Sequence, residues 1–177
     1  MVREAKLNDA LAIARVHVDT WRTTYCGIVP DDYLTSLSYK KRENSWVQIL
    51  STTQESNLFT YVTEDEVGQI VGFAAGGPER TKDSVYKGEL YALYILKTYQ
   101  RQGIGHRLTQ TLVRRLYESG FHSMLVWVLA DNPACGFYQA LGGQKVYEKQ
   151  DEIGGRILNE IAYGWTDTLA LITGHNH

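Results

Sequence analysis

The sequence predicts an α+β domain: one central sheet, mixed and mostly antiparallel, with helices on both faces. Three observations predict it. Strand-like runs at residues 58–63 and 69–75 flank the acidic turn Glu64-Asp65-Glu66 and read as an antiparallel hairpin. A strand–helix–strand unit occupies the middle of the chain. Its second strand, Met124–Leu129, is apolar on both sides and belongs inside a sheet covered by helices. A last hairpin closes the domain, with Gln144–Ile153 and Arg156–Trp165 flanking Gly154-Gly155.

Taken in order, residues 2–5 form a short first strand. Asn8 or Asp9 caps a helix running to about Thr24, with Leu11, Ile13, Ala14, Val18 and Trp21 available for burial. Cys26-Gly27-Ile28-Val29-Pro30 breaks it, and Pro30-Asp31-Asp32 starts a second helical region with proline in the first turn. That region carries Leu34, Leu37, Trp46, Val47, Ile49 and Leu50, with a break near Ser38. Gly76-Gly77-Pro78 is expected to end the first hairpin, and the polar residues 79–87 lead into a central strand at 89–96. Ile104, Leu108, Leu112 and Leu116 recur every four residues, the mark of an amphipathic helix, which Ser119-Gly120 stops. Asp131-Asn132-Pro133 starts a short helix bearing Phe137, Tyr138 and Leu141, closed by Gly142-Gly143. The domain is expected to cover residues 1–167. Residues 168–177 read as a loose tail whose His175 and His177 are incidental, so no metal is expected.

A chain of 177 residues fits one domain with a substantial core. Eighteen basic against twenty acidic residues give a net charge of −2, which implies no broad basic surface and no nucleic-acid partner. Cys26 and Cys135 lie far apart, in no metal-like spacing, and suit a reducing compartment. The first residues lack an apolar signal core and no run is long enough to span a bilayer. A cytoplasmic location without membrane contact is therefore expected; a homodimer is left open.

The chemistry centres on Gln100-Arg101-Gln102-Gly103-Ile104-Gly105-His106, between the central strand and the amphipathic helix. The first amides of a helix have no internal partner, and the helix dipole adds partial positive charge there. Glycines let another molecule approach that backbone without a Cβ in the way. The product is an anion site suited to phosphate, with Lys97, Arg101, His106 and Arg107 adding cationic reach. The dinucleotide fingerprint is not met, because Gly105 is followed by His106, Arg107 and Leu108, and no P-loop is present.

Gln-Arg-Gln-Gly-Ile-Gly after an apolar strand resembles the pyrophosphate loop Q/R-x-x-G-x-G/A of the GNAT superfamily of acyl-CoA-dependent N-acetyltransferases. The string Asn132 to Gly142 resembles that family's Asn-x-x-A-x-x-F/L-Y-x-x-L-G segment. The resemblance is specific over residues 88–143 and one of type and order elsewhere. Lys97 stands where a proline is usual, and Gly143 where the family has Leu-Gly-Phe after the tyrosine. The resemblance implies a single GNAT-like domain and acetyl-CoA as cosubstrate. The phosphates would lie on the backbone of Arg101, Gln102, Gly103, Ile104, Gly105 and His106. The pantetheine arm would pair as a pseudo-strand with Leu93, Tyr94 and Ile95, beside a strand bulge, and Asn132 would contact it too.

Acetyl transfer to an amine needs a base for the ammonium, donors for the oxyanion and a stabilised thiolate. Glu89, at the family's spacing ahead of Gly103, is the candidate base, acting directly or through water. A solvated strand-end carboxylate is its plainer reading. Tyr138 is the candidate acid toward the sulfur, with a core aromatic as the alternative. Asn132 could equally cap its helix. Cys135 lacks an evident activating group and is read as packing. The acceptor amine is expected between the first helix break and the last hairpin. There Trp21 and Tyr25 offer aromatic faces and Asp31, Asp32, Asp151 and Glu152 offer carboxylates, although both aromatics could be core. The function expected is direct acetyl transfer to a primary amine; the alternative is a non-catalytic acyl-CoA-binding module on the same fold.

Overall fold

The computed structural model describes residues 1–173 as a seven-stranded sheet in the order β1-β2-β3-β4-β5-β7-β6. The strands are β1 (Val2–Glu4), β2 (Phe59–Glu64), β3 (Ile70–Pro78), β4 (Gly88–Ile95), β5 (Met124–Leu129), β6 (Gln144–Ile153) and β7 (Arg156–Trp165). The helices are α1 (Ala10–Thr24), α2 (Asp31–Ser36), α3 (Tyr39–Ser51), α4 (Thr53–Ser56), α5 (Ile104–Glu118), α6 (Ala134–Ala140) and α7 (Leu169–Thr173). Every neighbouring pair is antiparallel except β4–β5. This is the mixed, mostly antiparallel sheet with helices on both faces that the periodicities imply. Among the described residues no helix is long and apolar enough to cross a membrane.

Each face has its own core. Helix α5 buries the four-residue repeat Ile104, Leu108, Leu112 and Leu116 against Val71, Ala74, Leu90, Val126 and Val128. On the other face α1 and α3 pack Ile13, Ala14 and Trp46 against Val62, Phe73 and Ala75. Fully burying one such side chain is worth about 1.5–3 kcal/mol, so these two cores hold the helices to the sheet. A third cluster joins Tyr25, Val29 and Leu34 to Leu129, and draws in Ile153 and Leu158 from the final hairpin. The Gly154-Gly155 turn takes positive φ at both glycines, as a two-residue hairpin requires.

Several elements differ from expectation for identifiable reasons. Asp9 precedes α1 but does not cap it with its side chain. Its carboxylate instead takes Arg3 at 2.8 and 3.0 Å and the Lys6 amide at 2.7 Å, which holds its pKa below the usual carboxylate value. Gly76 and Gly77 do not end β3. They lie inside it, because a Cβ on Gly76 would stand 2.6 Å from the Glu89 carbonyl and one on Gly77 2.8 Å from that of Asn57. These glycines allow close approach rather than a turn. The expected loose tail is tied down at its start: Thr168 and Leu171 are buried, and Gln110 donates to the Ile172 carbonyl at 2.9 Å. His175 and His177 lie outside the described residues.

The parallel pairing within the sheet is short. β4 pairs with β5 only from Gly88 to Leu90, and beyond Val126 the two strands part. On its other edge β4 stays paired to β3, but Ala75 faces Ala92 while Gly76 faces Leu90, so Tyr91 is an extra, bulged residue. The family-implied bulge is thus present. It turns the outer half of β4 away from β5 and leaves its β5-facing backbone without a strand partner.

Gly76→Ala is expected to destabilise the fold by about 1–3 kcal/mol, because the new methyl meets fixed backbone and Leu112; denaturant unfolding measures it. A second expectation concerns His17, whose Nδ1 accepts from the Trp46 indole at 3.3 Å. Burial, with a smaller push from Arg42, drives its pKa from 6.5 down to about 3. The unfolded chain then takes a proton that the folded chain refuses. The associated stability is present above pH 6.5 and is lost as pH falls from there toward about 3. The urea midpoint should fall from pH about 7 to about 5.5, and His17→Phe should flatten that slope.

Candidate active site

The parting of β4 and β5 opens a cleft of about 830 Å³. One end is the glycine loop. Arg101 and Gly103 both take positive φ, 62° and 80°, and Gly103 caps α5 without any side-chain bond to the helix. The first intrahelical bond, Arg107 N–H to Gly103 O at 3.1 Å, leaves the amides of Ile104, Gly105 and His106 ahead of it. A Cβ on Gly105 would meet Ile95 Cδ1 at 3.2 Å and the Phe137 ring at 3.6 Å, so the loop backbone lies tight against the cleft wall. Lys97, Gln100, Arg101 and His106 line this end. An anionic head on a long polar arm fits these donors: free amides at a helix start, cations around them, then an unpaired strand edge leading inward.

Leu93, Tyr94 and Ile95 line the cleft on the splayed half of β4. Gln102 does not line it. Its side chain reaches back to the Thr98 carbonyl at 3.4 Å, and the Ile104 side chain is buried in the α5 core, so these two offer backbone alone.

The inner end gathers three tyrosines from distant stretches of chain: Tyr25 after α1, Tyr94 in β4 and Tyr138 in α6. Burial raises all three phenols above their ordinary pKa. Tyr25 and Tyr138 are pushed further by Tyr94, and Tyr138 also by Tyr25. Asn132 caps its helix and also reaches into the cleft. Its Oδ1 accepts the Ala134 amide at 2.9 Å at the start of α6, while its Nδ2 donates to the Tyr25 hydroxyl at 3.0 Å inside the cleft. Cys135 is half-buried, its thiol raised mainly by burial, and its Sγ lies 3.6 Å from the Leu129 carbonyl. Nothing there makes a nucleophile.

Other expected residues are placed differently. Glu89 is no solvated strand end: it is 1% exposed, and its carboxylate accepts from Arg80 Nη2 at 2.6 Å, Nε at 3.3 Å and the Arg80 amide at 3.1 Å. It is not among the cleft-lining residues, and the structure does not bring it together with Tyr138 there. It sits one residue short of the point where the strands part. Trp21 packs on Tyr25 with ring centroids 4.5 Å apart and donates to the Tyr94 hydroxyl at 3.1 Å, supporting the site from behind. Asp151 is exposed on β6, away from the cleft lining. The helix break and the hairpin tip close on each other rather than leaving a gap. A Cβ on Gly154 would stand 2.7 Å from Tyr33 Cβ, and Arg156 donates to the Ile28 carbonyl at 2.8 Å.

Sequence reasoning missed Arg80, the partner of Glu89, because it lies in an irregular loop with no periodic signal. A second cavity of about 360 Å³ lies beside it, lined by His17, Trp46, Tyr91 and Tyr94 among others, and Tyr94 belongs to both cavities. The departure at Gly143 also finds its cause. A Cβ there would stand 2.7 Å from the Trp165 indole, which occupies that space and donates to the Leu141 carbonyl at 3.0 Å.

Residues 16–143 match the model of the acetyltransferase (GNAT) family. Over 172 residues the chain is 47% identical to YuaI of Bacillus subtilis (strain 168), an uncharacterized N-acetyltransferase, spanning 97% of this chain and 96% of that protein. Among solved structures, the PaiA N-acetyltransferase of Thermoplasma acidophilum in complex with coenzyme A superposes with a TM-score of 0.71. It is 20% identical, with 90% of this chain and 96% of that one covered. The structure of yncA from Salmonella typhimurium with its cofactor acetyl-CoA has a TM-score of 0.70 at 19% identity, covering 93% and 92%. Gly105→Asp should place a carboxylate against the free helix amides and lower the affinity for coenzyme A about ten-fold or more, read by calorimetry.

Proposed function

The chain belongs to the GNAT acetyltransferase family and is an acetyl-CoA-dependent N-acetyltransferase of that type; on that premise we propose that it transfers the acetyl group directly to a primary amine, without an acyl-enzyme. The observation that carries this reading is the cleft between the parted strands, which runs from an uncapped helix start to Tyr138. A non-catalytic module on this fold gives way to an enzyme, since the family and the curated relative alike are acetyltransferases.

Acetyl-CoA supplies the thioester. The amides of Ile104, Gly105 and His106, with Arg101 beside them, hold its phosphates. Backbone groups of Leu93, Tyr94 and Ile95 take the amides of its arm as another strand would, and Asn132 holds the arm from the α6 side. The neutral amine nitrogen attacks the thioester carbonyl carbon, the C–S bond breaks, and the nitrogen gives up one proton. Cys135, the residue an acyl-enzyme would call on, does not line the cleft, and its thiol is raised rather than activated.

Tyr138 serves the leaving sulfur chiefly as a hydrogen-bond donor. A thiol with a pKa near ~8.5 is a stronger acid than a phenol near ~10, so full transfer from phenol to thiolate runs uphill. Burial raises the Tyr138 phenol further and keeps its proton in place at neutral pH. The bond it donates therefore strengthens as charge grows on sulfur. Glu89, held by Arg80 outside the cleft lining, takes the amine's proton through water rather than by contact.

Following thiol release with a panel of primary amines tests the reading. Tyr138→Phe should lower kcat about 100-fold and leave the affinity for coenzyme A within about two-fold. Glu89→Gln should cost most at the acidic end of the pH profile, where the amine most needs deprotonating. Parent-like turnover in both variants across pH would remove these two assignments while leaving the cofactor cleft untouched.

A further inference from the structure

Beyond the cleft, a charged aromatic site lies on the α1 face of the sheet. On that face Trp127 of β5 faces Ala162, Leu129 faces Glu160, and Lys149 of β6 faces Glu160. The Lys149 ammonium stands 4.2 Å from the centroid of the Trp127 ring and 3.5 Å from Glu160 Oε2. The Glu160 side chain is only 16% exposed, whereas that of Lys149 is 48% exposed. Trp127 is half-buried and further flanked by the Tyr147 ring at 6.3 Å.

An aromatic face and a sheltered carboxylate form a complete seat for a cation, and the chain shows which cation by lodging its own alkylammonium there. The anchoring groups differ in character. Glu160 is fixed on a central strand; Lys149 is a half-exposed side chain from the edge strand β6, free to swing into water. Burial raises the carboxyl of Glu160 and Asp151 pushes it the same way, with Lys149 opposing both, so the carboxylate gains from any cation beside it. The site also adjoins the cleft. Leu129, opposite Glu160, packs on Tyr25, and the negative charge of Glu160 is felt at the Tyr25 phenol, which lines the inner end.

We propose that Trp127 and Glu160 form the recognition seat for an alkylammonium group of the acceptor, and that Lys149 occupies this seat until the acceptor displaces it. The inference rests on the amine transfer proposed above and narrows its substrate. A nitrogen must be neutral to attack a thioester, whereas this seat selects a charged one, so a single nitrogen cannot satisfy both at once. The acceptor therefore carries a second, protonated amine on an aliphatic spacer, as in a diamine or a lysine-like compound.

The test reads binding, not turnover. The indole N–H resonance of Trp127, assigned by its loss in Trp127→Phe, is followed while 1,4-diaminobutane is titrated into the coenzyme A-saturated protein, with 1-butanol as the uncharged control. The diamine should shift this resonance and the alcohol should not. Lys149→Met should tighten diamine binding about three-fold, since the internal competitor is gone. Glu160→Gln should weaken it about ten-fold. An indole unmoved by the diamine, or a Lys149→Met variant that binds no more tightly than the parent, would overturn the seat. If Glu160→Gln fails to fold, Lys149→Met alone decides, its side chain being half in water. Intact binding without thiol release from acetyl-CoA and this diamine would count against the transfer proposed above and not against the seat.

Discussion

The site depends on one break in hydrogen bonding: β4 and β5 pair over Gly88 to Leu90 and then part. A backbone edge inside a protein normally needs partners for its amides and carbonyls, and leaving them open costs free energy. Here the other edge of β4 remains bonded to β3 and absorbs the change of direction through one extra residue, Tyr91. Two glycines opposite the bulge allow it. Gly76 and Gly77 have no space for a side chain, and the Tyr91 hydroxyl donates to the Pro78 carbonyl across the gap. The open edge thus leaves backbone groups of β4 facing the cleft without a strand partner.

Burial works in opposite directions along the cleft. At the glycine loop the surroundings are exposed and cationic, which suits an anion that must arrive from water. At the inner end three phenols are desolvated and held protonated, so they act as fixed donors in a poorly screened space. Between the two cavities stands Tyr94, anchored by the Trp21 indole. The carboxylate expected in the cleft, Glu89, is instead buried against Arg80 at its margin. A lone carboxylate so deep in the sheet would be costly; the guanidinium, itself stacked over the Tyr91 ring, offsets that cost.

Charged pairs elsewhere do more modest work. Arg3 joins β1 to Asp9 ahead of α1 and to Glu64 in β2, closing one end of the sheet. Lys149 and Glu160 stitch the edge strand β6 to β7. In each of these pairs the cationic partner reaches water, which screens the attraction and keeps its contribution to stability modest.

Sequence by itself determined the elements and the glycine loop. The repeat of Ile104, Leu108, Leu112 and Leu116, the two-sided apolar strand Met124–Leu129 and the Gly154-Gly155 turn are local patterns, and local patterns report which backbone state buries apolar surface. The loop at Gly103 and Gly105 was legible for the same reason, since a helix start with free amides is a property of a few consecutive residues. The part played by Gly76 and Gly77 was not, because a glycine in a turn and a glycine under a neighbouring strand look alike in one dimension. Nor could the sequence show that Glu89 meets Arg80, that Tyr25, Tyr94 and Tyr138 converge, or that Lys149 lies over Trp127 beside Glu160. Those contacts join residues on different strands, helices and loops. Which of them form is settled only when the sheet register and the packing of α1 and α6 bring the chain segments together, because burial, and with it the charge and reach of each group, is a property of the whole fold.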